Sequence, residues 1–126
     1  MNFISTKNKL ITGLTFCLLI LCSFLPEEDC YLASGNASYY ANKFHGRQTS
    51  SGEIFNQNKY TAAHKTLRFG SIVRVQNLDN DSIVYVKIND RLPKNSRRLI
   101  DLSKKAAKEL NFIRKGTVAV SVERIQ

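Results

Sequence analysis

Two carboxylates stand close together in the second half of the chain, each at the end of a short apolar run. Asp90 follows a β-branched segment that ends at Ile88, and Asp101 follows Leu99 and Ile100. One carboxyl group can give a proton to a leaving oxygen and take one back, while a second stabilises developing positive charge. The pair therefore predicts acid–base chemistry.

Three arginines, Arg91, Arg97 and Arg98, lie between the two acids. Guanidinium groups could hold the carboxylates in place or bind an anionic or sugar ligand. Purely structural roles stay open at this point. Asp90 could cap a turn, Asp101 could cap a helix, and the arginines could form a solvated face.

Short β-rich segments must position these residues. Extended or strand patterns occupy residues 34–41, 60–64, 71–76, 82–88 and 117–123. Residues 77–81 predict a hairpin turn, and residues 42–58 predict a long polar loop. Residues 103–110 carry the one helical pattern, with Leu102, Ala106, Ala107 and Leu110 on one face.

One stretch of the chain is echoed further on. Residues 67–73 and 113–119 share the pattern apolar, Arg, any residue, Gly, hydroxyl, β-branched, apolar. The echo suggests two related halves, each with a turn before an equivalent strand. Two such halves could close into a small barrel, which removes sheet edges.

The length and charge of the chain limit its organisation. It has 126 residues and a formal net charge of +9. A domain of this size has a small core, so an active site would be a surface groove. The positive charge favours a polyanionic environment such as nucleic acid, anionic lipid or an acidic wall polymer.

The N-terminal segment favours the cell envelope among these. Lys7 and Lys9 precede an apolar run at residues 10–25, which the polar residues 26–29 end. This pattern is typical of a secretory signal, with an uncleaved membrane anchor as the alternative. We expect a leader at residues 1–30, one domain at residues 31–126, and no nucleic-acid partner.

The three cysteines, Cys17, Cys22 and Cys30, all fall in or beside the leader. We therefore expect no disulfide in the domain. The segment before Cys22 resembles a bacterial lipoprotein box, although Leu21 stands where a small residue is usual. Cys22 is the candidate for lipidation and membrane anchoring.

Five short motifs follow the leader: GNASYY at residues 35–40, TSSGE at 49–53, AAHKTL at 62–67, NDR at 89–91 and IDLS at 100–103. Together, in this order, they resemble the rare lipoprotein A (RlpA-like) family of lytic transglycosylases. The resemblance implies a mostly-β fold, the double-psi β-barrel, with six strands in two pseudo-symmetric halves and one or two short helices.

The resemblance also implies an activity. Such enzymes cleave the bond between N-acetylmuramic acid and N-acetylglucosamine in peptidoglycan without water and leave anhydromuramic ends. The alternative is a non-catalytic, expansin-like module that binds glycan in the cell envelope. A weaker third reading is an envelope lipoprotein that binds protein partners. We expect a monomer, with no cofactor and no metal, because two histidines and scattered acids offer no zinc-like spacing.

Carried over motif by motif, Glu53, His64 and Asp90 match the family's functional positions. Asp101 matches the groove carboxylate of related barrels such as the MltA transglycosylases and expansins. We predict that Asp90 is the acid and base, that His64 or Glu53 tunes its proton affinity, and that Asp101 orients the groove. Without the resemblance, His64 would be interpreted as a buried strand histidine and Glu53 as a solvated loop acid.

Four further residues are the predicted substrate-binding set: Tyr39, Tyr40, Arg91 and Arg98. The chain departs from the family at Leu92, which stands where glycine is usual beside Asp90. Because leucine does not favour positive φ, we expect Leu92 to constrain this loop.

Overall fold

The computed structural model describes residues 30–126. Most of the expected leader and the candidate lipidation site Cys22 lie outside the described residues. Cys30 is an exposed free cysteine. Within residues 30–126, no helix is long and apolar enough to cross a membrane.

In the described part of the chain, six strands close into one barrel, as the family resemblance implies. They are β1 (Leu32–Tyr39), β2 (Thr61–His64), β3 (Ile72–Asn77), β4 (Ile83–Arg91), β5 (Ile100–Leu102) and β6 (Val118–Arg124). Around the barrel their order is β1-β5-β2-β4-β3-β6. One short helix, α1 (Lys104–Glu109), follows β5, and a single 3₁₀ turn (Asn42–Phe44) follows β1.

The strand pairing has an internal twofold relation. The pairs β1–β5 and β4–β2 are parallel, whereas β1–β6 and β4–β3 are antiparallel. The pairs β2–β5 and β3–β6 are also antiparallel. Exchanging β1 with β4, β2 with β5 and β3 with β6 therefore leaves the pattern unchanged. This confirms the expected double-psi β-barrel of two related halves.

The sequence echo corresponds to a pair of equivalent turns. Gly70 and Gly116 have φ values of 88° and 79°. Each lies two residues before its strand, β3 or β6, and these strands exchange under the twofold relation. Positive φ is cheap only for glycine, so both halves need it at this turn.

Alternating apolar residues fill the barrel. Val73, Val75, Val120 and Val122 are fully buried, and so are the helix residues Ala106 and Ala107. The side chain of Ser103 accepts a hydrogen bond from the backbone N–H of Ala106 and so caps α1. Asp101 therefore does not cap the helix, and its carboxylate is free to face the surface.

Candidate active site

A row of four residues crosses four neighbouring strands. Ser38 on β1 pairs with Asp101 on β5, Asp101 pairs with Ala63 on β2, and Ala63 pairs with Asp90 on β4. Since neighbouring strands lie about 4.8 Å apart, the two aspartate backbones are roughly 10 Å apart. The row brings both predicted carboxylates onto one surface.

This row lies in an open groove with a volume of about 770 Å³. Tyr39, Tyr40 and Phe44 contribute aromatic walls. The charged residues that line it are Lys43, Arg47, Asp90, Arg91, Arg98 and Asp101, so four cations accompany two carboxylates. A groove with this balance suits an anionic chain-like ligand.

A β-bulge directs Asp90 into the groove. Strand β4 runs to Arg91, three residues beyond the expected end, so Asp90 belongs to a strand and not to the loop after it. Ala62 pairs with Ile88, but the next residue, Ala63, pairs with Asp90, which leaves Asn89 as the extra residue. Ile88 is fully buried in the core. Strict alternation would send Asp90 inward as well, and the bulge prevents this.

Three donors hold the Asp90 carboxylate. The Tyr40 hydroxyl donates to Oδ2 at 2.5 Å, and the backbone N–H groups of Ser50 and Arg91 donate to Oδ1 at 2.9 and 2.8 Å. Burial alone would raise the pKa of Asp90, but these hydrogen bonds outweigh it and hold the pKa below its ordinary value. Asp90 is therefore ionised in the free groove at neutral pH.

Asp101 is held differently. Arg98 donates to both of its oxygens, from Nε to Oδ1 at 2.7 Å and from Nη2 to Oδ2 at 3.0 Å. Ser38 Oγ donates to Oδ1 at 2.5 Å. The pair with Asp101 raises the pKa of the Arg98 guanidinium. This two-point pairing fixes the orientation of Asp101 along the groove.

The two predicted tyrosines have different neighbours. Tyr40 packs against Phe55, with ring centroids 4.3 Å apart, and burial together with the contact to Asp90 raises the pKa of its hydroxyl. It is a hydrogen-bond donor at any physiological pH. Tyr39 donates to the backbone carbonyl of Ile113 at 2.9 Å and packs edge-on against Phe112.

Backbone and aromatic contacts fix the side chain of Arg91. Its Nη1 donates to the backbone carbonyl of Leu67 at 2.7 Å, and its guanidinium lies 4.0 Å from the centre of the Phe69 ring. The neighbouring Leu92 is buried and does not have positive φ. The leucine therefore packs inward without left-handed backbone, and the expected constraint on this loop stays a prediction.

His64 lies outside the groove and is 2% exposed. Its Nδ1 accepts the N–H groups of Thr66 and Leu67 at 3.1 and 3.0 Å. The ring proton is therefore on Nε2, which donates to the Tyr31 hydroxyl at 2.8 Å. Burial, followed by the charges of Arg91 and Lys65, lowers the pKa of His64 to about 4. In the folded domain it is a neutral side chain that shapes a turn.

Glu53 is also not among the groove-lining residues. Its Oε1 pairs with Lys87 Nζ at 2.8 Å, and its Oε2 accepts from Asn89 Nδ2 at 3.2 Å. These two contacts lower the pKa of Glu53. Of the four predicted catalytic residues, the structure thus brings Asp90 and Asp101 together in the groove, while Glu53 and His64 lie beside it.

Sequence reasoning missed Ser38, Asn89 and the basic residues Lys43 and Arg47 of the groove wall. Ser38 lies inside the GNASYY motif, and Asn89 opens the NDR motif, so both were visible as motif members without a role. Within residues 30–126, no cluster of three or more histidine, cysteine or acidic side chains could hold a metal ion.

Comparison with known proteins agrees with this architecture. A family model described as "Lytic transglycolase" matches residues 32–122. The "Endolytic peptidoglycan transglycosylase RlpA" of Neisseria meningitidis serogroup A is 50% identical over 95 residues, which is 75% of this chain and 40% of that protein. The "Probable endolytic peptidoglycan transglycosylase RlpA" of Treponema pallidum is 53% identical over 96 residues, 76% of this chain and 30% of that protein.

Solved structures share the fold at low identity. The Streptomyces papain inhibitor superposes with a TM-score of 0.63 at 20% identity, covering 76% of this chain and 96% of that one. An expansin of Clavibacter michiganensis gives a TM-score of 0.61 at 15% identity, covering 76% of this chain and 51% of that one. These likenesses show the fold alone. The family match spans nearly all of the barrel, so the chain belongs to the RlpA-like lytic transglycolase family of double-psi β-barrels.

Proposed function

We propose that this domain is a lytic transglycosylase that cleaves the N-acetylmuramic acid–N-acetylglucosamine bond of peptidoglycan and leaves anhydromuramic ends. The observation that carries the proposal is the strand register that places Asp90 and Asp101 in one groove. The names of the relatives, which this chain matches over 30–40% of their length, support it.

Asp90 acts as acid and then as base in this proposal. A glycan that covers the groove excludes water, and burial already pushes the pKa of Asp90 upward against its hydrogen bonds. The carboxyl group can then carry the proton to the leaving oxygen. Once ionised, it takes a proton from the primary hydroxyl of the muramic residue as that oxygen attacks the anomeric carbon.

Asp101 orients the ligand and offsets the positive charge that develops at the anomeric carbon. Its two-point pair with Arg98 and its hydrogen bond from Ser38 hold the carboxylate in one position. A fixed charge is more effective than a mobile one because no reorganisation is needed during the reaction.

The substrate would lie along the aromatic and basic wall. Tyr39, Tyr40, Arg91 and Arg98 all line the groove and form the proposed substrate-binding set. The surplus of cations suits the carboxylates of peptidoglycan. This substrate would place the protein in the cell envelope.

The test is the chemistry of the products. Purified sacculi treated with the domain in the presence of a chelator should release fragments with anhydromuramic ends, detected by mass spectrometry. Reducing muramic ends would instead identify a hydrolase. Binding to sacculi without any product would support the expansin-like alternative, and absence of binding would support the protein-binding lipoprotein.

We also propose that residues 1–30 direct export and that Cys22 is lipidated. A single acyl chain binds membranes only weakly, whereas several chains anchor a protein stably. A fatty-acid probe should label the wild-type protein and not Cys22→Ser. Equal labelling of both proteins would contradict the proposal.

A further inference from the structure

The bulge residue Asn89 connects the strand that carries Asp90 to the loop beside the groove. Its side chain is 3% exposed, and its Nδ2 donates to Glu53 Oε2 at 3.2 Å. Its backbone carbonyl accepts from the N–H of Ser51 at 3.3 Å. The side chain and the backbone carbonyl of Asn89 therefore both form hydrogen bonds with residues 49–53.

Residues 49–53 form a turn with its own hydrogen bonds. The N–H of Thr49 donates to the carbonyl of Glu53 at 2.8 Å, and the N–H of Gly52 donates to the carbonyl of Thr49 at 3.0 Å. The Thr49 hydroxyl donates to the same Glu53 carbonyl at 2.9 Å. Because the turn is closed in this way, the position of the Glu53 side chain also determines the position of Ser50.

Ser50 is the part of this turn that touches the proposed acid. Its N–H donates to Asp90 Oδ1 at 2.9 Å. We propose that Glu53 and Asn89 are positioning residues: their side-chain hydrogen bond holds the turn against the bulge, so that Asp90 faces the groove with Ser50 bound to it. This inference rests on the proposed function only for the role of Asp90.

Several features distinguish this role from a catalytic one for Glu53. Its carboxylate does not line the groove. Both of its oxygens are already engaged, one by Lys87 and the other by Asn89. A positioning carboxylate needs only an oxygen that accepts from Asn89, and a glutamine side chain supplies one.

The experiment compares Glu53→Gln with Glu53→Ala and uses Lys87→Met as the matched control. Lys87→Met removes the other partner of the same carboxylate and leaves Asn89 untouched. Misplacement of a reacting group costs about 10- to 100-fold in kcat, so Glu53→Ala should show that loss with KM nearly unchanged. Glu53→Gln and Lys87→Met should stay within about threefold of wild type. A Glu53→Gln variant as inactive as Glu53→Ala would overturn the proposal.

A second measurement does not depend on activity. The carboxyl resonance of Asp90, followed by NMR through a pH titration, should show a raised pKa in Glu53→Ala and a wild-type pKa in Glu53→Gln. The other groups near Asp90 are the same in every variant: Tyr40 and Arg91 contact it directly, and Asp101 lies on the same row. A difference in the Asp90 pKa between variants therefore does not come from the loss of one of these groups.

The two measurements separate the possible failures. A wild-type protein that cleaves nothing contradicts the proposed function, and the titration still tests the positioning role. An Asp90 pKa that is equal in all variants would contradict the positioning role of Glu53 and Asn89, even if the protein is active. Asn89→Ala should show the same loss of activity and the same change in the Asp90 pKa as Glu53→Ala. Asn89 is buried, whereas the Glu53 side chain is half-exposed, so Asn89→Ala is the variant more liable to unfold. If it does not fold, Glu53→Ala alone decides the test.

Discussion

At the residue scale, the two groove carboxylates differ in what holds them. Asp90 accepts from one hydroxyl and two backbone amides. Asp101 forms a two-point ion pair with Arg98. The hydrogen bonds hold the pKa of Asp90 below its ordinary value, whereas the two-point pair fixes the orientation of the Asp101 carboxylate.

The first prediction concerns Asp90→Asn. The asparagine oxygen can accept from both backbone amides, and its NH₂ group can donate to the Tyr40 oxygen, so the site keeps its shape. Turnover should fall by about 10²–10⁴-fold, the contribution of general acid–base catalysis. Melting temperature and glycan binding should change little, as measured by calorimetry and sacculus sedimentation.

Asp101→Asn provides the comparison. It breaks the pair with Arg98, whose side chain is 43% exposed, so the loss of stability should be about 0.5–1 kcal/mol. The rate should fall as well, because the charge on the groove floor is removed. An active Asp90→Asn together with a well-folded but inactive Asp101→Asn would reverse the two roles.

The second prediction concerns acid stability. The pKa of His64 is lowered to about 4 in the folded domain, while the unfolded chain protonates it near its ordinary value of about 6.5. Its neutral form stabilises the fold fully above pH 6.5, and this contribution is lost as the pH falls towards 4. The loss should be on the order of 2 kcal/mol.

Chemical denaturation at pH 7, 5.5 and 4 measures this loss. His64→Asn keeps an acceptor for the turn amides but does not titrate, so its stability should vary less over the same range. Depressed carboxyl groups such as Asp90 lose their contribution in a more acidic range, below the ordinary pKa of about 4. A wild-type stability that is flat from pH 7 to pH 4 would contradict the assignment.

At the element scale, the two equivalent turns should respond alike to mutation. A Cβ built on Gly70 or Gly116 meets no atom within 4 Å, so only backbone strain opposes a side chain there. The third prediction is that Gly70→Ala and Gly116→Ala each cost about 1–2 kcal/mol, because both φ values are left-handed.

Asparagine tolerates left-handed φ better than alanine does, so Gly70→Asn and Gly116→Asn should cost less than the alanine variants. Urea denaturation of the four proteins gives the comparison. A large cost at one turn and none at the other would show that the two halves carry unequal strain in spite of their shared topology.

Most elements were predictable from the sequence because they have a local pattern, whereas β5 (Ile100–Leu102), with only three residues, was not predicted as a strand. Alternating valines predicted β6, and the apolar face at Leu102, Ala106 and Leu110 predicted the helix. The repeated glycine pattern predicted the paired turns. The bulge at Asn89 was not predictable. It depends on how β2 and β4 pair across the barrel, and no local pattern of Asn89 or Asp90 records that pairing.

The candidate site was likewise predictable in part. Motif resemblance identified both aspartates, and the structure places them in one groove. The same resemblance could not tell which matched residues touch the groove. His64 and Glu53 belong to the same set of motifs as Asp90, but their side chains make other contacts. His64 accepts from the amides of a turn, and Glu53 pairs with Lys87.

At the scale of the whole molecule, charge should govern binding. Four cations and two carboxylates line the groove, so an acidic glycan gains from the surplus positive charge. The fourth prediction is that binding to peptidoglycan weakens several-fold between about 50 and 500 mM salt, as the Debye length shortens from roughly 14 to 4 Å. Neutral chitin oligomers are the control and should show little change. Equal salt dependence for both ligands would rule out charge recognition.

The twofold relation of the strands is not obeyed by the residues on the groove floor. The backbone hydrogen bond from Tyr40 N–H to Leu102 has its counterpart in that from Leu92 N–H to His64. The same exchange relates Asp90 to Ser38 and Asp101 to Ala63.

The twofold exchange thus relates each aspartate to a small, uncharged residue. A symmetric floor would look the same to a polysaccharide entering from either end. Under the proposed function, this unequal floor favours one direction of binding for a glycan strand with chemically distinct ends, and that direction determines which sugar of each disaccharide lies above Asp90.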